Sequence, residues 1–176
     1  MAAAAPAPEF SRPIDLRQIG DKPLHLEADE GERRKLAGRF AISAIDALQA
    51  DVSLVADGTV VRAQGRLQAH IQQACAISGE DFPVAIDEQV DFRFVPATGR
   101  VHVPDEEIEL DAQDCDEIEY EGTAFDLGEA IAQSLALAID PFAEGPNAEA
   151  ARKAAGLLGE GAAGPFAALA KLRKDN

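Results

Sequence analysis

Tryptophan is absent from this sequence of 176 residues, which also contains only one tyrosine, one methionine and two cysteines. The two cysteines, Cys75 and Cys115, lie far apart, which argues against a disulfide scaffold and fits a reducing compartment. No apolar run reaches the length needed to cross a bilayer. The N-terminal residues also lack the basic and apolar regions of a signal peptide. We therefore expect a cytoplasmic protein whose core consists of aliphatic residues and phenylalanine.

Basic residues are scarce as well, since 16 Lys and Arg stand against 32 Asp and Glu, which gives a formal net charge of −16 at pH 7. Charge of this sign keeps a protein soluble and repels nucleic acids and anionic membranes at long range. We expect no membrane partner. Any contact with RNA requires a local site where basic side chains gather without acidic neighbours. The apolar fraction of 47% is ordinary for a globular protein with a buried core.

Alternating apolar and polar residues predict three long strands in the middle of the chain. Turn signals at residues 57–58 and 78–81 separate three such runs between Leu48 and Val95. The simplest arrangement is an antiparallel meander with one face of the sheet in the core and the other in water.

Two segments carry helix signals. Residues 29–43 begin with Asp29 as the N-cap and Glu32 in the capping-box position. A second helix begins at Asp126 and ends near Pro141, because the residue before a proline avoids helical geometry. The apolar stripe of this second helix consists of Leu127, Ile131, Leu135 and Ile139.

These patterns predict an α+β fold, in which an antiparallel meander sheet packs against a few helices and a flexible C-terminal extension follows. A short strand is expected near Ile14. Residues 1–9 are interpreted as a loose N-terminal tail and residues 10–142 as the α+β domain. Ala and Gly dominate residues 143–176, which we interpret as a flexible extension ending in a short basic amphipathic segment.

Motifs for catalysis and for metal binding are missing from the sequence. It contains no Gly-rich phosphate loop, no Gly-x-Ser-x-Gly elbow and no His-Glu-x-x-His motif. Cys75 paired with His70 or His102 is the remaining enzyme hypothesis. Ser78 occupies the place of the second ligand in a Cys-x-x-Cys pair, and Cys75 continues the inward-facing parity of its strand. We expect no catalytic residue, no metal and no cofactor.

The solvent-facing side of the second strand gathers basic side chains. Arg62, Arg66 and His70 alternate there with glutamines, and Arg93 joins them if the third strand pairs alongside. Arginine and glutamine on a sheet face contact phosphates and base edges in nucleic-acid complexes. We interpret these four residues as a candidate RNA contact. The face lacks the stacking aromatics typical of single-stranded RNA binding, so a plain solvated face is the alternative.

Residues 105–121 are densely acidic and contain neither Lys nor Arg. Ile108 and Ile118 indicate two short strands within this segment. The aspartates do not have the spacing and the glycine of an EF-hand loop, which argues against calcium. We interpret the segment as a contact for a basic partner, with a solvated acidic surface as the alternative. The candidate contact residues are Asp105, Glu106, Glu107, Glu109, Asp111, Asp114, Asp116 and Glu117.

Four segments occur in an order and spacing typical of one known family. Residues 65–78 (GRLQAHIQQACAIS) form a Gly-x-hydrophobic-x-Ala strand that leads into a cysteine-containing turn. Residues 125–129 (FDLGE) open an apolar helix that stops before a proline. Residues 9–13 and 165–172 are similar to the ends of some members. Together these segments resemble the bacterial YceD family.

The resemblance implies a role in the accumulation of large-subunit ribosomal RNA, and hence in assembly of the large ribosomal subunit. It implies a non-catalytic accessory factor that binds this RNA or a pre-ribosomal particle. The alternative is an acidic protein-interaction module that holds a basic partner such as a ribosomal protein. Many members carry a second cysteine after the first, and some carry a further pair near the C-terminus. Ser78 and a cysteine-free C-terminal stretch replace these here, which removes the family's suspected metal site.

Overall fold

A computed structural model describes residues 8–97 and 117–156 of the chain. Within these residues the larger sheet has the strand order β2-β3-β4-β5-β6, and β1 pairs with β7 in a separate two-stranded sheet. The α+β class predicted from the sequence is confirmed. The elements in chain order are β1 (Pro13–Asp15), a 3-10 turn (Leu16–Gln18), β2 (Leu24–Glu27), α1 (Glu30–Phe40), β3 (Ala44–Asp57), β4 (Val60–Ala74), β5 (Asp81–Pro96), β6 (Glu117–Tyr120), β7 (Ala124–Asp126), α2 (Leu127–Ala138) and α3 (Ala148–Ala154).

The long strands β3, β4 and β5 form the predicted antiparallel meander. Gly58 and Gly79 adopt positive φ in the two connections, a conformation that glycine reaches without steric cost. The strands predicted near Ile14 and Ile118 are present as β1 and β6, whereas the one predicted near Ile108 lies outside the described residues. Strand β6 joins β5 in parallel orientation, so the sheet extends beyond a pure meander.

The apolar stripe of α2 packs on the inner face of the sheet, against β4 and β5. Helix residues Leu127, Ile131 and Leu135 are completely buried, and so are Leu67 and Ile71 on β4. Because apolar burial is the main favourable term in folding, this contact between helix and sheet is central to stability. Phe92, also predicted to be buried, is 9% exposed and belongs to the same core.

The segment before β1 ties the two longer helices together. Asp29 and Glu32 form the predicted capping box at the start of α1. The Arg12 guanidinium donates to both Glu32 carboxylate oxygens, at 2.7 and 2.9 Å, and this contact lowers the pKa of Glu32. The Arg12 backbone N–H and the Ser11 hydroxyl donate to the carboxylate of Asp126, which is the N-cap of α2. One short segment therefore fixes the starts of both helices.

Two glycines stand where backbones approach too closely for any side chain. A Cβ atom at Gly65 would lie 2.0 Å from the carbonyl oxygen of Asp51 on the neighbouring strand β3. A Cβ atom at Gly128 would lie 2.5 Å from the carbonyl oxygen of Phe10. Both glycines belong to the segments that resemble the YceD family, and each has a structural reason to be glycine.

The described residues after α2 pack against the turn that connects β4 and β5. The backbone N–H of Ala76 donates to the Ala143 carbonyl at 3.0 Å, and a Cβ atom at Gly145 would lie 2.9 Å from the Phe82 ring. The predicted domain limit at residue 142 therefore falls within a contact region, and α3 follows it. The basic amphipathic end of the chain lies outside the described residues.

We expect the substitution Ile131→Asp to lower the free energy of unfolding by about 3–5 kcal/mol, because it places an uncompensated charge in the core. Ile131 is fully buried, whereas Leu137 on the same helix is 89% exposed. Leu137→Asp is therefore the matched control and should change stability little. Urea titration of both variants measures the difference, and equal midpoints would show that α2 does not pack as described.

Candidate functional site

The solvent-facing side of the larger sheet, called the open face, brings together the four predicted RNA contacts and Glu117. Its side chains alternate along each strand with those of the core, as the pleat of a sheet requires. The polar residues of the open face include His25, Glu27, Gln49, Asp51, Arg62, Gln64, Arg66, Gln68, His70, Asp87, Gln89, Asp91, Arg93, Glu117 and Glu119.

Two arginines of β4 pair with aspartates of β5. Arg62 donates to Asp91 through Nη2 and Nε, at 2.7 and 3.1 Å. Arg66 donates to Asp87 in the same two-pronged manner, at 2.6 and 2.5 Å. The amide of Gln64 adds a second donor to Asp91 at 2.8 Å. Such bidentate contacts have better geometry than most exposed ion pairs, although water still screens them.

Arg93 does lie beside Arg62, as the sequence analysis anticipated, because the two residues are register partners on adjacent strands. Like charges directly opposite each other are unfavourable on a sheet. Arg93 instead pairs with Glu117 of β6 at 2.5 Å, while Arg62 turns to Asp91. Each of these arginines thus has its own carboxylate.

The expectation that basic residues gather on this face without acidic neighbours is wrong. Arginine occurs three times on the described open face, at Arg62, Arg66 and Arg93, and carboxylates outnumber it. The charge of the face is therefore negative. The carboxylates are Glu27, Asp51, Asp87, Asp91, Glu117 and Glu119.

His70 is exposed on the open face, where its register partners on both sides are alanines, Ala47 and Ala85. One residue pair further along, the amide of Gln68 accepts a hydrogen bond from Gln49 at 3.0 Å. The residues directly opposite His70 are therefore uncharged, while Asp87 lies one residue pair away and lines the same cavity as His70.

The acidic segment predicted to meet a basic partner is only partly within the described residues. Positions 105–116 lie outside them, so the contacts predicted there stay a prediction. Glu117 is described and opens β6, where its carboxylate faces Arg93. Glu119 follows on the same open face and is exposed.

Cys75 is buried, as its parity predicts, with 3% of its surface exposed. Hydrogen bonds from the Ser78 side chain and backbone and from the Ile77 backbone lower the pKa of the Cys75 thiol to about 7. His70 lies on the open face and Cys75 on the core side, so these two do not form a catalytic pair. His102, the other candidate partner, lies outside the described residues.

Sequence reasoning missed Asp87 and Asp91, which decide the charge of the open face. A signal for them exists, because Arg62 and Arg66 are spaced by four residues on one strand and the two aspartates are spaced by four on the next. In an antiparallel pair, equal spacing allows both ion pairs to form at once.

A comparison with models of protein families finds the same family that the motifs resemble. A family model described as "Large ribosomal RNA subunit accumulation protein YceD" matches residues 63–173, more than half of the chain. This chain belongs to the YceD family. The family's description assigns it to accumulation of the large ribosomal RNA subunit, and thus to ribosome biogenesis. Comparisons with curated proteins and with solved structures find no match.

The description of the YceD family names an accumulation factor and no reaction. Among residues 8–97 and 117–156, no group of three His, Cys, Asp or Glu side chains is placed to hold a metal ion. None of the helices in the described part of the chain has the length and apolar character to cross a membrane.

The pKa values of Asp87 and Asp91 should lie below the ordinary aspartate value, because Arg66 and Arg62 stabilise their charged forms. We expect Arg66→Gln to raise the pKa of Asp87 towards the ordinary aspartate value and to leave that of Asp91 unchanged, which makes Asp91 the internal control. Carbon-13 NMR titration of the carboxyl groups measures both.

The lowered pKa of Asp87 also determines how the stability contributed by this ion pair depends on pH. A carboxylate whose pKa is lowered in the folded state adds stability above its unfolded pKa and loses it as the pH falls through the folded pKa. The stability difference between the parent protein and Arg66→Gln should therefore exist at neutral pH and vanish in strong acid. An identical pKa for Asp87 in both proteins would contradict the ion pair.

Proposed function

We propose that this YceD family member is a non-catalytic accessory factor that promotes accumulation of large-subunit ribosomal RNA by holding a basic protein partner, such as a ribosomal protein. The open face is the proposed contact. The observation that carries this proposal is the pairing of Arg62, Arg66 and Arg93 with carboxylates on a face where carboxylates are in excess.

Direct RNA contact through the same arginines is less favoured by this arrangement. A phosphate that approaches Arg62 or Arg66 must displace Asp91 or Asp87 from a bidentate contact and then remain beside the displaced carboxylate. Because like charges repel at this range, the exchange is unfavourable. His70 is left as the one of the four predicted RNA contacts that forms no ion pair with a carboxylate among the described residues.

The charge of the open face attracts a basic protein partner, whereas it repels a phosphate. The lysines and arginines of such a partner find carboxylates that face solvent at Glu27, Asp51 and Glu119, and the chain's net charge of −16 attracts it from a distance. Complementary charge of this kind raises association rates and excludes wrong partners more than it adds affinity. The carboxylates of the predicted segment 105–116 carry the same sign, and their contact with a basic partner stays a separate prediction.

Two triple variants separate the protein partner from RNA. The acid-neutral variant carries Asp87→Asn, Asp91→Asn and Glu117→Gln, and the base-neutral variant carries Arg62→Gln, Arg66→Gln and Arg93→Gln. Both break the same three ion pairs, so any loss of stability is matched, while the charge of the face changes in opposite directions.

We expect the acid-neutral variant to bind basic large-subunit ribosomal proteins roughly tenfold more weakly than the parent, at about 0.5 kcal/mol for each exposed charge. The base-neutral variant should bind at least as tightly as the parent. Titration at fixed ionic strength measures both, with fragments of large-subunit ribosomal RNA as the competing ligand. If the parent protein binds RNA tightly and only the base-neutral variant loses this binding, the partner is RNA and not a basic protein.

Loss of the protein from cells should lower large-subunit ribosomal RNA relative to small-subunit ribosomal RNA. The expectation follows from the family's description. Gradient sedimentation of ribosomes, with quantified RNA of both subunits, measures the ratio in a deletion strain and in the same strain with the gene restored. An unchanged ratio in slow and in fast growth would exclude this role.

A further inference from the structure

The outer edge of β5 is largely without a neighbouring strand in the described sheet. Strand β5 has 16 residues, Asp81–Pro96, and pairs with β4 along nearly all of them. On its other side, β6 pairs only with Arg93–Pro96. Within residues 8–97 and 117–156, the stretch 81–92 therefore has a strand on one side only. The unpaired backbone groups of such an edge are a template for another strand.

Pro83 shows which backbone groups of β5 point outward. A proline has no N–H, and within a paired strand it is tolerated where its nitrogen faces away from the neighbour. Pro83 is in register with Gln72 of β4 and lies inside the paired stretch. Residues at the same parity, Ala85, Asp87 and Gln89, therefore direct their N–H and C=O groups to the outer edge.

A groove of about 320 Å³ runs beside this edge, between β5 and the chain segment that ends α2. Its described lining includes the carboxyl residues Asp87, Glu88 and Asp140 and contains no Lys, Arg or His. The apolar parts of its walls come from Val84, Ile139 and neighbouring residues. The groove therefore combines a strand edge with an acidic rim.

A buried oxygen without a partner also belongs to this groove. Gln73 lines it and is only 5% exposed. Its amide nitrogen donates to the Asp140 carbonyl at 3.0 Å, which fixes the orientation of the amide group. The remaining oxygen, Oε1, has no hydrogen-bond partner among the described residues. A buried acceptor left unsatisfied costs free energy, so a donor at this position is favoured.

The helix that ends at the groove adds negative potential of its own. The last carbonyl groups of a helix carry partial negative charge, which Lys or Arg in the last turn commonly offsets. The last turn of α2 contains no basic residue. Ala138 and Ile139, at this end of α2, form part of the groove wall. Four features of the groove thus favour a cationic ligand that donates hydrogen bonds. They are the unpaired backbone edge of β5, the carboxylates, the end of α2 and the buried acceptor of Gln73.

We propose that the outer edge of β5 binds an extended segment of a basic protein by strand addition, with a Lys or Arg side chain of that segment in the groove. The proposal rests on the proposed function, because it gives the place and geometry by which the basic partner is held. The incoming strand pairs with the outward groups of Ala85, Asp87 and Gln89. Its cationic side chain donates towards Gln73 Oε1 and Glu88.

Charge decides between a basic partner and a second copy of this chain. Two copies that joined edge to edge would bring Asp87 and Glu88 of each together, and each chain has a net charge of −16. Like charges across a strand pair are destabilising.

The test uses a short labelled peptide of alternating Lys and Thr, together with the same peptide N-methylated at every residue. Both have the same charge, but the methylated peptide cannot pair along a strand edge. We expect it to bind the full-length protein about three- to tenfold more weakly, since it loses main-chain hydrogen bonds. Fluorescence anisotropy measures affinity, and amide shifts at Ala85 and Gln89 locate the peptide.

Variants of the protein test the same contact by changing β5 and not the peptide. Ala85→Pro removes one outward N–H and should weaken binding of the unmethylated peptide by a similar factor, whereas Ala85→Thr keeps the N–H and should not. Glu88→Gln should weaken it about two- to fivefold, and Glu30→Gln, on α1 and outside the proposed contact, serves as its charge-matched control. Circular dichroism confirms that each variant is folded.

The outcomes distinguish this inference from the proposed function. If both peptides bind equally well, charge alone holds them, so strand addition is overturned while the basic-partner function stands. If neither peptide binds but basic ribosomal proteins do, the edge is again excluded and the function stands. If basic ribosomal proteins fail to bind as well, both are wrong.

Discussion

The register between β4 and β5 is the constraint on which the candidate site depends. Because side chains alternate between the two faces, a shift by one residue would move Arg62 and Arg66 into the core and the apolar residues into water. A shift by two would keep the faces but change the cross-strand neighbours: in one direction each arginine would lie directly opposite its aspartate, and in the other the two would move apart. The observed register places Arg62 beside Asp91 and Arg66 beside Asp87. The packing of the core thus determines the charge pattern of the opposite surface.

The length of β5 explains why much of its outer edge has no neighbouring strand among the described residues. Burial against α2 requires a long β5, since Ile86, Val90 and Phe92 all contribute to the core. Strand β6 is short and covers only the last residues of β5. The inner side chains of β5 therefore contribute to the core along most of the strand, while most of its outer hydrogen-bonding edge has no described neighbour. The length of β5 thus provides both the apolar burial that stabilises the core and an outer edge without a described neighbouring strand.

Local patterns in the sequence were sufficient to predict much of the fold. The alternation through Leu67 and Ile71, the helix stripe around Ile131 and the Asp29–Glu32 capping box depend only on residues close in sequence, and all are present. The parallel addition of β6 depends on the path of the chain after β5, which no short pattern specifies. Pairing between side chains on different strands is also non-local, and this is why the expected basic surface proved to be an acidic one.

An exposed strand edge must avoid pairing with copies of itself and still accept its partner, and charge meets both requirements here. Pro83 removes one donor from the edge, and Asp87 and Glu88 place negative charge along it, devices by which natural sheets resist edge-to-edge association. Negative charge repels an identical acidic chain but attracts a basic one. The buried acceptor of Gln73 adds a requirement for a donor, which an acidic edge does not meet and a lysine or arginine does. The features that protect the edge from self-association therefore also favour the basic strand that we propose as its partner.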